Sequence, residues 1–149
     1  MKGQLTQTEM DNLLHSQLIG RLACIQGNEP YIVPMAYAYD GKNILGQTVP
    51  GLKLRILEQN PKVCFEVDQL IDLHNWKSVI VFGTFKLAPK SFLPQTRQWL
   101  FDRIYPLSTP TRVHGHEHSS GSTISDEDRI KPVLFMIEVI RMTGRYEKQ

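Results

Sequence analysis

The stretch of the sequence with the clearest chemical potential is the turn TVPGLK at residues 48–53. Thr48 offers a hydroxyl donor, Gly51 lets backbone approach a ligand without a Cβ in the way, and Lys53 adds a positive charge. A helix predicted to begin near Leu52 would add unpaired N–H groups and about half a positive charge at its N-terminus. These features favour a phosphate, but a Pro-Gly turn before a helix is also an ordinary way to leave a strand. The turn alone leaves both interpretations open.

A second candidate group is formed by His114, His116 and His118, which lie in a loop rich in serine and glycine at 106–128. Imidazole is the commonest metal ligand, but this spacing places three rings on one side only in an extended segment. We interpret the loop as solvated and predict no metal site.

The two cysteines, Cys24 and Cys64, lie in apolar, strand-like runs, where cysteine behaves as a small hydrophobic residue. We predict that both belong to the core and that no disulfide joins them. We find no Ser/His/Asp set and no pair of carboxylates with catalytic spacing, so the sequence names no catalytic residue.

Composition limits the possible partners and compartments. The 149 residues are 41% hydrophobic and 21% charged, which indicates one globular domain spanning 1–149. A net charge of +2 without blocks of like charge does not favour binding to nucleic acid or to an anionic membrane. No apolar run approaches the roughly 20 residues of a membrane span. The start MKGQLTQTEM lacks an apolar signal segment, so we expect a cytoplasmic protein.

Apolar patterning predicts a mainly β (α+β) fold, with six strands and about three helices in an antiparallel barrel. Strands are predicted at 19–26, 31–39, 43–47, 62–68, 76–87 and 132–146, and helices at 8–16, 52–60 and 91–105. Asp40-Gly41 is the strongest hairpin signal, and Gly83 indicates a bulge. The absence of an alternating βαβ repeat argues against a doubly wound parallel sheet.

Side-chain patterns give finer expectations for these elements. Thr8 followed by Asp11 predicts the cap of the first helix, and Ser91 that of the third. On the second helix we expect Leu54, Leu57 and the stem of Arg55 to cover the sheet. The face of 76–87 expected to be buried carries Val79, Val81, Phe85 and Leu87.

Two residues within the predicted strands have alternative interpretations. Pro34 cannot donate to a ladder, which places it at an edge or a bulge and leaves a gap in pairing beside Met35 and Ala36. A flat ligand could occupy that gap, or the proline could protect an edge strand from aggregation. Arg21 interrupts an apolar strand, where it could form a salt bridge or contact a phosphate or a ring.

Five motifs follow one another with consistent spacing: GRLA at 20–23, PYIVPMAYAYDG at 30–41, TVPGLK at 48–53, NPKVCFEVD at 60–68 and WKSVIVFGTFKL at 76–87. In this order the chain resembles the pyridoxamine 5'-phosphate oxidase-like FMN-binding proteins, in particular their branch similar to nitroimidazole-resistance proteins. The resemblance extends over roughly residues 8–145. It implies a split β-barrel that pairs as a homodimer and holds FMN in two clefts at the dimer interface.

The resemblance also implies which residues contact the cofactor. These are Val33, Pro34, Met35, Ala36, Gln47, Thr48, Lys53, Trp76, Lys77 and Ser78. The segment 33–36 would offer backbone groups to the polar edge of the flavin ring, and Thr48 and Lys53 would hold the phosphate. Ser78, beside Trp76 and Lys77, would meet the ring or the ribityl chain. Gln47 stands where many relatives carry a histidine, so the chemistry proposed for those relatives is not transferred.

The function implied is that of an FMN-binding oxidoreductase that reduces a small acceptor, because the chain has no thiol pair or metal cluster and a bound flavin would carry the electrons. The alternative is a protein that sequesters or senses a flavin or haem without turnover. Related split barrels use deazaflavin or haem. The Trp and Arg pattern with which the true oxidases hold pyridoxal phosphate is absent from MTGRYEKQ, so we do not expect vitamin B6 oxidation.

Overall fold

The computed structural model describes residues 1–104 and 132–149, so the loop with His114, His116 and His118 lies outside the described residues. Eight strands are described: β1 Lys2–Gln4, β2 Ile19–Gln26, β3 Glu29–Ala36, β4 Ala38–Tyr39, β5 Asn43–Thr48, β6 Lys62–Asp72, β7 Asn75–Leu87 and β8 Val133–Glu147. The helices are α1 Gln7–Ser16, α2 Leu52–Gln59 and α3 Leu93–Ile104, the last preceded by a short 3-10 turn at Lys90–Phe92.

All strand pairs are antiparallel, in the order β3-β2-β6-β7-β8-β5-β4, and β1 pairs with the far end of β8. The two strands at the ends of this order, β3 and β4, are separated only by Tyr37. The sheet must therefore curl until its ends almost meet, which confirms the mainly β, split-barrel prediction. The strand count exceeds six because β1 is too short and polar to show a pattern, and because the chain changes partner at Tyr37.

The core lies inside the curled sheet and is sealed by two helices. The predicted apolar stripe of α1, Met10, Leu13 and Leu14, is buried there. The Tyr37 hydroxyl donates to the Leu14 carbonyl over 2.6 Å, which ties α1 to the point where the chain changes partner. The largest fully buried side chains of this cluster are Tyr37, Phe65, Phe135, Leu14, Leu22, Ile44, Ile56, Leu57 and Ile137.

A second, smaller cluster explains the position of α3. Ala38, Leu45 and Leu134 face away from the main core and pack with Leu100 of α3. The strands β4 and β5 and the first residues of β8 are therefore covered on both faces. Among residues 1–104 and 132–149, no helix packs on the outer face of β2, β3, β6 or the first half of β7.

Glycine permits the tight turns of two hairpins, the one between β2 and β3 and the one between β4 and β5. Gly27 has a φ of 61°, which suits the first central position of a two-residue turn between β2 and β3. Gly41 has a φ of 94°, and the Asp40 carboxylate accepts from the N–H groups of Lys42 and Asn43 at 2.8 and 2.6 Å. The predicted hairpin at Asp40-Gly41 is confirmed, as is the bulge at Gly83, where the register of β7 on β8 shifts.

Two predicted helix starts were wrong. Helix α1 is capped by Thr6, whose hydroxyl accepts from the Glu9 N–H while the Glu9 carboxylate accepts from the Thr6 N–H over 2.7 Å. The prediction from Thr8 and Asp11 overlooked this capping box, although the T-x-x-E spacing is visible in the sequence. Ser91 lies inside the 3-10 turn, and α3 begins at Leu93.

Three burial predictions also need correction. Arg55 is exposed and Ile56 packs against the sheet beside Leu54 and Leu57. Leu87 is exposed at the end of β7, whereas Val79, Val81 and Phe85 are buried as predicted. Cys24 is buried in the core, but Cys64 is only partly buried because it lies on the outer face of the sheet. Side chains alternate along a strand, so these two neighbours on adjacent strands point to opposite faces.

The helices within the described residues are too short and too polar to cross a membrane.

Candidate functional site

The barrel is open between two unpaired strand edges, and we call this opening the split. Among the residues that the structure describes, β3 pairs only with β2, which confirms that Pro34 lies on an edge strand. β5 pairs with β4 only at Ile44 and Leu45, so the edge of 46–48 that faces away from β8 has no strand partner within 1–104 and 132–149. A Cβ on Gly46 would overlap the terminal methyl of Met35, so this glycine lets the two edges approach.

The strand register decides which backbone groups of β3 face the split. The Tyr37 N–H donates to the Leu18 carbonyl over 3.2 Å, which continues the β2–β3 ladder. Hydrogen-bonded positions alternate along an antiparallel pair, so Val33 and Met35 direct their backbone groups toward β2. Pro34 and Ala36 direct theirs into the split. Proline fits there because it has no N–H to leave unpaired.

The start of α2 closes one end of the split and presents free donors. Gly51 occupies its N-cap, no side chain caps the helix, and the first intrahelical bond runs from the Arg55 N–H to the Gly51 carbonyl over 3.1 Å. The N–H groups at the first helical positions therefore remain available to a ligand. A Cβ on Gly51 would meet no atom within 4 Å, so the approach to these groups is open.

Lys53 is half-buried on the first turn of α2, near the buried thiol of Cys24. Burial lowers the pKa of the Lys53 ammonium, and the nearby Cys24 acts against this shift. Within residues 1–104 and 132–149, no carboxylate lies within ion-pair distance of Lys53. A partly desolvated cation without an acidic partner, beside free helix N–H groups, is suited to an anionic ligand.

Thr48 and Gln47 end β5 but project to opposite faces, as alternation requires. Thr48 is buried and its hydroxyl donates to the Val49 carbonyl over 3.2 Å, on the side of the barrel where α2 packs. Gln47 is exposed on the other face. The structure thus places Thr48 and Lys53 near the same end of the split and directs the side chain of Gln47 away from them.

The structure does not bring the remaining predicted site residues, Trp76, Lys77 and Ser78, to the split of the same chain. Trp76 pairs with Glu147 and Thr48 pairs with Val133, so the two lie at opposite ends of β8. Fourteen residues of extended strand span up to about 46 Å. The segment 33–36 is separated from β7 by β2 and β6, or about 14 Å across the sheet. Lys77 also projects to the face opposite to that of Trp76 and Ser78.

Ser78 belongs to a polar network on the outer face that we did not predict. Its hydroxyl donates to Glu66 over 3.2 Å, and Arg21 lies 2.7 Å from Asp68 and 3.5 Å from Glu66. Burial raises the pKa of Glu66, as does the charge of Asp68, whereas Ser78 and Arg21 lower it. The salt-bridge interpretation of Arg21 is confirmed. Side-chain alternation in the sequence could have indicated this network, because its residues all lie at outward positions of β2, β6 and β7.

A cavity of about 460 Å³ adjoins Trp76 at the end of the β6–β7 hairpin. Glu147 orients its indole by accepting from the indole N–H over 3.3 Å, and the same carboxylate lies 3.4 Å from both His74 and Lys2. Local residue patterns do not indicate this arrangement, because it depends on β8 returning beside the hairpin. The hairpin tip carries three exposed apolar side chains, Leu70, Ile71 and Leu73.

The outer face of the sheet is apolar around the Arg21 network. Ile19, Ile25, Ile32 and Ile80 all project outward and are exposed. A shallow cavity of about 530 Å³ on this face is lined by Ala23, Ile25, Cys64, Phe82 and Ile140, among others. Exposed apolar side chains grouped on one face are typical of interaction surfaces.

These features define what one chain could bind. The split offers backbone acceptors and a donor along β3, together with a cation and free N–H groups at the start of α2. A ligand with a flat, hydrogen-bonding ring and a phosphate fits this set of groups. No cluster of three metal-ligating side chains occurs within the described ranges 1–104 and 132–149.

Comparisons with known proteins agree with the fold. The sequence model of the pyridoxamine 5'-phosphate oxidase family matches residues 6–129. An uncharacterized protein of Rhizobium meliloti (strain 1021) is 27% identical over 144 residues, covering 95% of this chain and 92% of that protein.

Several crystal structures share the barrel. A protein of Mesorhizobium loti described as FAD-binding has a TM-score of 0.79 at 25% identity, covering 100% of this chain and 98% of that chain. A protein of Bacteroides thetaiotaomicron described as a 5-nitroimidazole antibiotic resistance protein has a TM-score of 0.68 at 15% identity, covering 98% and 87%. The second likeness concerns the fold alone. Since the family's sequence model covers most of the chain, the protein belongs to the pyridoxamine 5'-phosphate oxidase family.

Proposed function

We propose that the protein binds FMN in the split and acts in the cytoplasm as an oxidoreductase that reduces a small acceptor. The observation that carries the proposal is that unpaired backbone groups and a cationic helix start lie at the same opening. The outward backbone of Pro34 and Ala36 lies on one side, and the cationic start of α2 lies at its end. A flavin mononucleotide carries a ring that pairs with a strand edge and a phosphate that suits Lys53.

In this proposal each residue of the split has a defined role. The Ala36 N–H donates to a ring carbonyl, and the Pro34 carbonyl accepts from a ring N–H. Lys53 and the first N–H groups of α2 hold the phosphate, with the Thr48 hydroxyl turning from the Val49 carbonyl to join them. The bound flavin supplies electron transfer, and the chain supplies binding and orientation.

We infer further that Trp76, Lys77 and Ser78 reach the cofactor of a second copy in a homodimer. They lie too far from Thr48 to contact the same flavin within one chain. The apolar outer face of β2, β3, β6 and β7 supports this assembly, because a two-fold partner would cover it. A 17.1 kDa chain that light scattering finds to be a monomer with flavin bound would contradict the dimer.

FAD is a second candidate cofactor, for a specific reason. Val49 and Leu52, on either side of the open Gly51, are 59% and 48% exposed, although both are large and apolar. An adenosine group beyond the phosphate would cover them. The Mesorhizobium loti protein with the same barrel is described as FAD-binding. Affinities for FMN and FAD should therefore be measured side by side.

The absorption spectrum of the purified protein is the direct test of cofactor type, because flavin, deazaflavin and haem absorb differently. Titration with NADH or NADPH and a panel of acceptors then tests the enzyme. Flavin bleaching followed by many turnovers supports an oxidoreductase. Bound flavin that is not reoxidised productively by any acceptor supports the alternative, a sequestering or sensing protein. A protein that binds neither FMN nor FAD contradicts the proposal.

A further inference from the structure

The direction of the Ser78 hydroxyl is set by the polar network on the outer face. Its Oγ donates to Oε1 of Glu66 over 3.2 Å, and Oε2 of the same carboxylate lies 3.5 Å from the Arg21 guanidinium. Arg21 is itself held by Asp68 at 2.7 Å. Side chains from β2, β6 and β7 thus restrict the rotation of Glu66 and, through it, the rotation of the Ser78 hydroxyl.

This arrangement decides which hydrogen-bonding role Ser78 keeps for a ligand. Burial raises the pKa of Glu66, but the Ser78 hydroxyl and the Arg21 guanidinium favour its ionised form. An ionised carboxylate only accepts and a hydroxyl has a single proton, so the proton of Ser78 is directed to Glu66. In the described part of the chain, no group donates to the Ser78 oxygen. Its lone pairs therefore remain available to a ligand that donates.

Ser78 also lines a cavity of about 260 Å³ on the outer face, whose walls include Asp68, Leu70, Leu73 and Trp76. An oxidised flavin offers two kinds of donor to such an oxygen, a single ring N–H and the hydroxyls of the ribityl chain. The proposed function assigns the ring N–H to the Pro34 carbonyl. A ribityl hydroxyl is therefore the donor that suits Ser78.

We propose that Glu66 is a positioning residue that makes Ser78 an acceptor for a ribityl hydroxyl of the flavin bound by a second copy. The inference rests on the proposed function, because it needs both a flavin and the homodimer. Glu66 acts through Ser78 and does not touch the cofactor. Removing Glu66 should therefore matter only while Ser78 is present, and only for flavins that carry a ribityl chain.

The test compares riboflavin with lumiflavin, which has the same ring without a ribityl chain. Flavin fluorescence quenching by the flavin-free full chain measures both affinities. Ser78→Ala should weaken riboflavin roughly twofold to tenfold, as expected for one lost neutral hydrogen bond, and leave lumiflavin unchanged. Glu66→Ala should also weaken riboflavin alone, by no more than Ser78→Ala does. Combining Glu66→Ala with Ser78→Ala should cause no further loss.

Two further variants complete the experiment. Ser78→Thr keeps the hydroxyl and should recover most of the riboflavin affinity that Ser78→Ala loses. Glu58→Ala removes an exposed glutamate of α2 and should change neither affinity.

The outcomes separate this inference from the proposed function. Equal losses of lumiflavin and riboflavin affinity would place Ser78 against the ring and overturn the inference. A loss from Glu66→Ala that is the same with and without Ser78 would show a merely structural role and would also overturn it. Wild-type riboflavin affinity in either single variant overturns the inference and leaves the proposed function standing, because flavin still binds. A wild-type protein that binds no flavin overturns both.

Discussion

The split and the β6–β7 hairpin end are two regions with groups suited to a ligand in the described part of the chain, and they differ in how complete they are. The split collects Pro34, Ala36, Thr48 and Lys53 from segments fewer than twenty residues apart in the sequence. The hairpin end presents Trp76 and Ser78 beside exposed apolar side chains and a polar network that satisfies itself internally. The groups of the split face one opening in their own chain. The side chains of the hairpin end are directed away from any site in their own chain.

This difference teaches that residues assigned to one cofactor need not meet within one chain. Pairing along β8 places the hairpin end far from the phosphate position. If both regions serve one flavin, a second copy must bring them together, as in the proposed homodimer, in which a two-fold axis would place the hairpin of one copy near the split of the other. Substitutions in each region separately therefore test whether the split and the hairpin end bind the same flavin.

The largest effect is expected from mixing two damaged chains. The double variants Thr48→Val/Lys53→Ala and Trp76→Ala/Ser78→Ala should each bind little FMN at concentrations that saturate the wild type. Random reassortment of a 1:1 mixture places both intact regions together at about one quarter of the sites. Fluorescence quenching of FMN measures the recovery. Wild-type affinity in the hairpin variant would remove Trp76 and Ser78 from the site, and no recovery in the mixture would exclude shared sites.

The next largest effect concerns Lys53 alone. Lys53→Ala removes a charge-assisted hydrogen bond worth about 1.5–3 kcal/mol, so FMN affinity should fall roughly tenfold to a hundredfold. Riboflavin has no phosphate, and its affinity should barely change. Lys62→Ala, which removes an exposed lysine just after α2, is the matched control. Equal FMN binding by Lys53→Ala and wild type at fixed salt would show that the split does not hold the phosphate.

A smaller effect would distinguish the two candidate cofactors. Val49→Ser with Leu52→Ser should weaken FAD by less than about tenfold, because only part of two aliphatic side chains would be covered by adenosine. FMN affinity should stay the same, since its phosphate ends before these residues. Isothermal titration with both nucleotides measures the difference. Parallel losses for FMN and FAD would show that the substitutions disturb α2 instead.

A still smaller effect is expected from Glu66 in the outer-face network. Because its pKa is raised in the folded protein, the folded state binds this proton more tightly than the unfolded chain does. The stabilisation is present at low pH and is lost as pH rises through the folded pKa. The free energy of unfolding should therefore decrease as pH rises through the folded pKa of Glu66. In Glu66→Gln this decrease should be smaller by less than about 1 kcal/mol, because the network is partly exposed. Denaturation at several pH values tests this, with exposed Glu58→Gln as the control.

No effect is expected from the histidine loop. Replacing His114, His116 and His118 with alanine should leave FMN affinity unchanged, because the composition of this segment, rich in serine and glycine, predicts no packed contact. Binding titrations and metal analysis of the purified variant test the prediction. Loss of flavin affinity, or of a stoichiometric metal or haem, would show that the loop belongs to a site.

The sequence by itself determined the local elements, because they depend on neighbouring residues. Strand-forming residues followed by a turn signal predicted β2 with its observed bounds, Asp40-Gly41 predicted a hairpin, and Pro34 predicted an edge or a bulge, of which the structure shows the edge. The turn at 48–53 predicted an open, cationic helix start, and α2 begins at Leu52.

Only the tertiary structure decided which of these elements meet. Strand β1 and the orientation of Trp76 depend on β8, which lies more than fifty residues away along the chain. The ladder register selected Pro34 and Ala36, rather than Val33 and Met35, to face the split. Pairing along β8 also separated Ser78 from Lys53. Residue types set the propensity of each segment, and turn geometry sets the register of a hairpin. Strand order and the pairing of distant strands arise from long-range contacts, which local patterns do not encode.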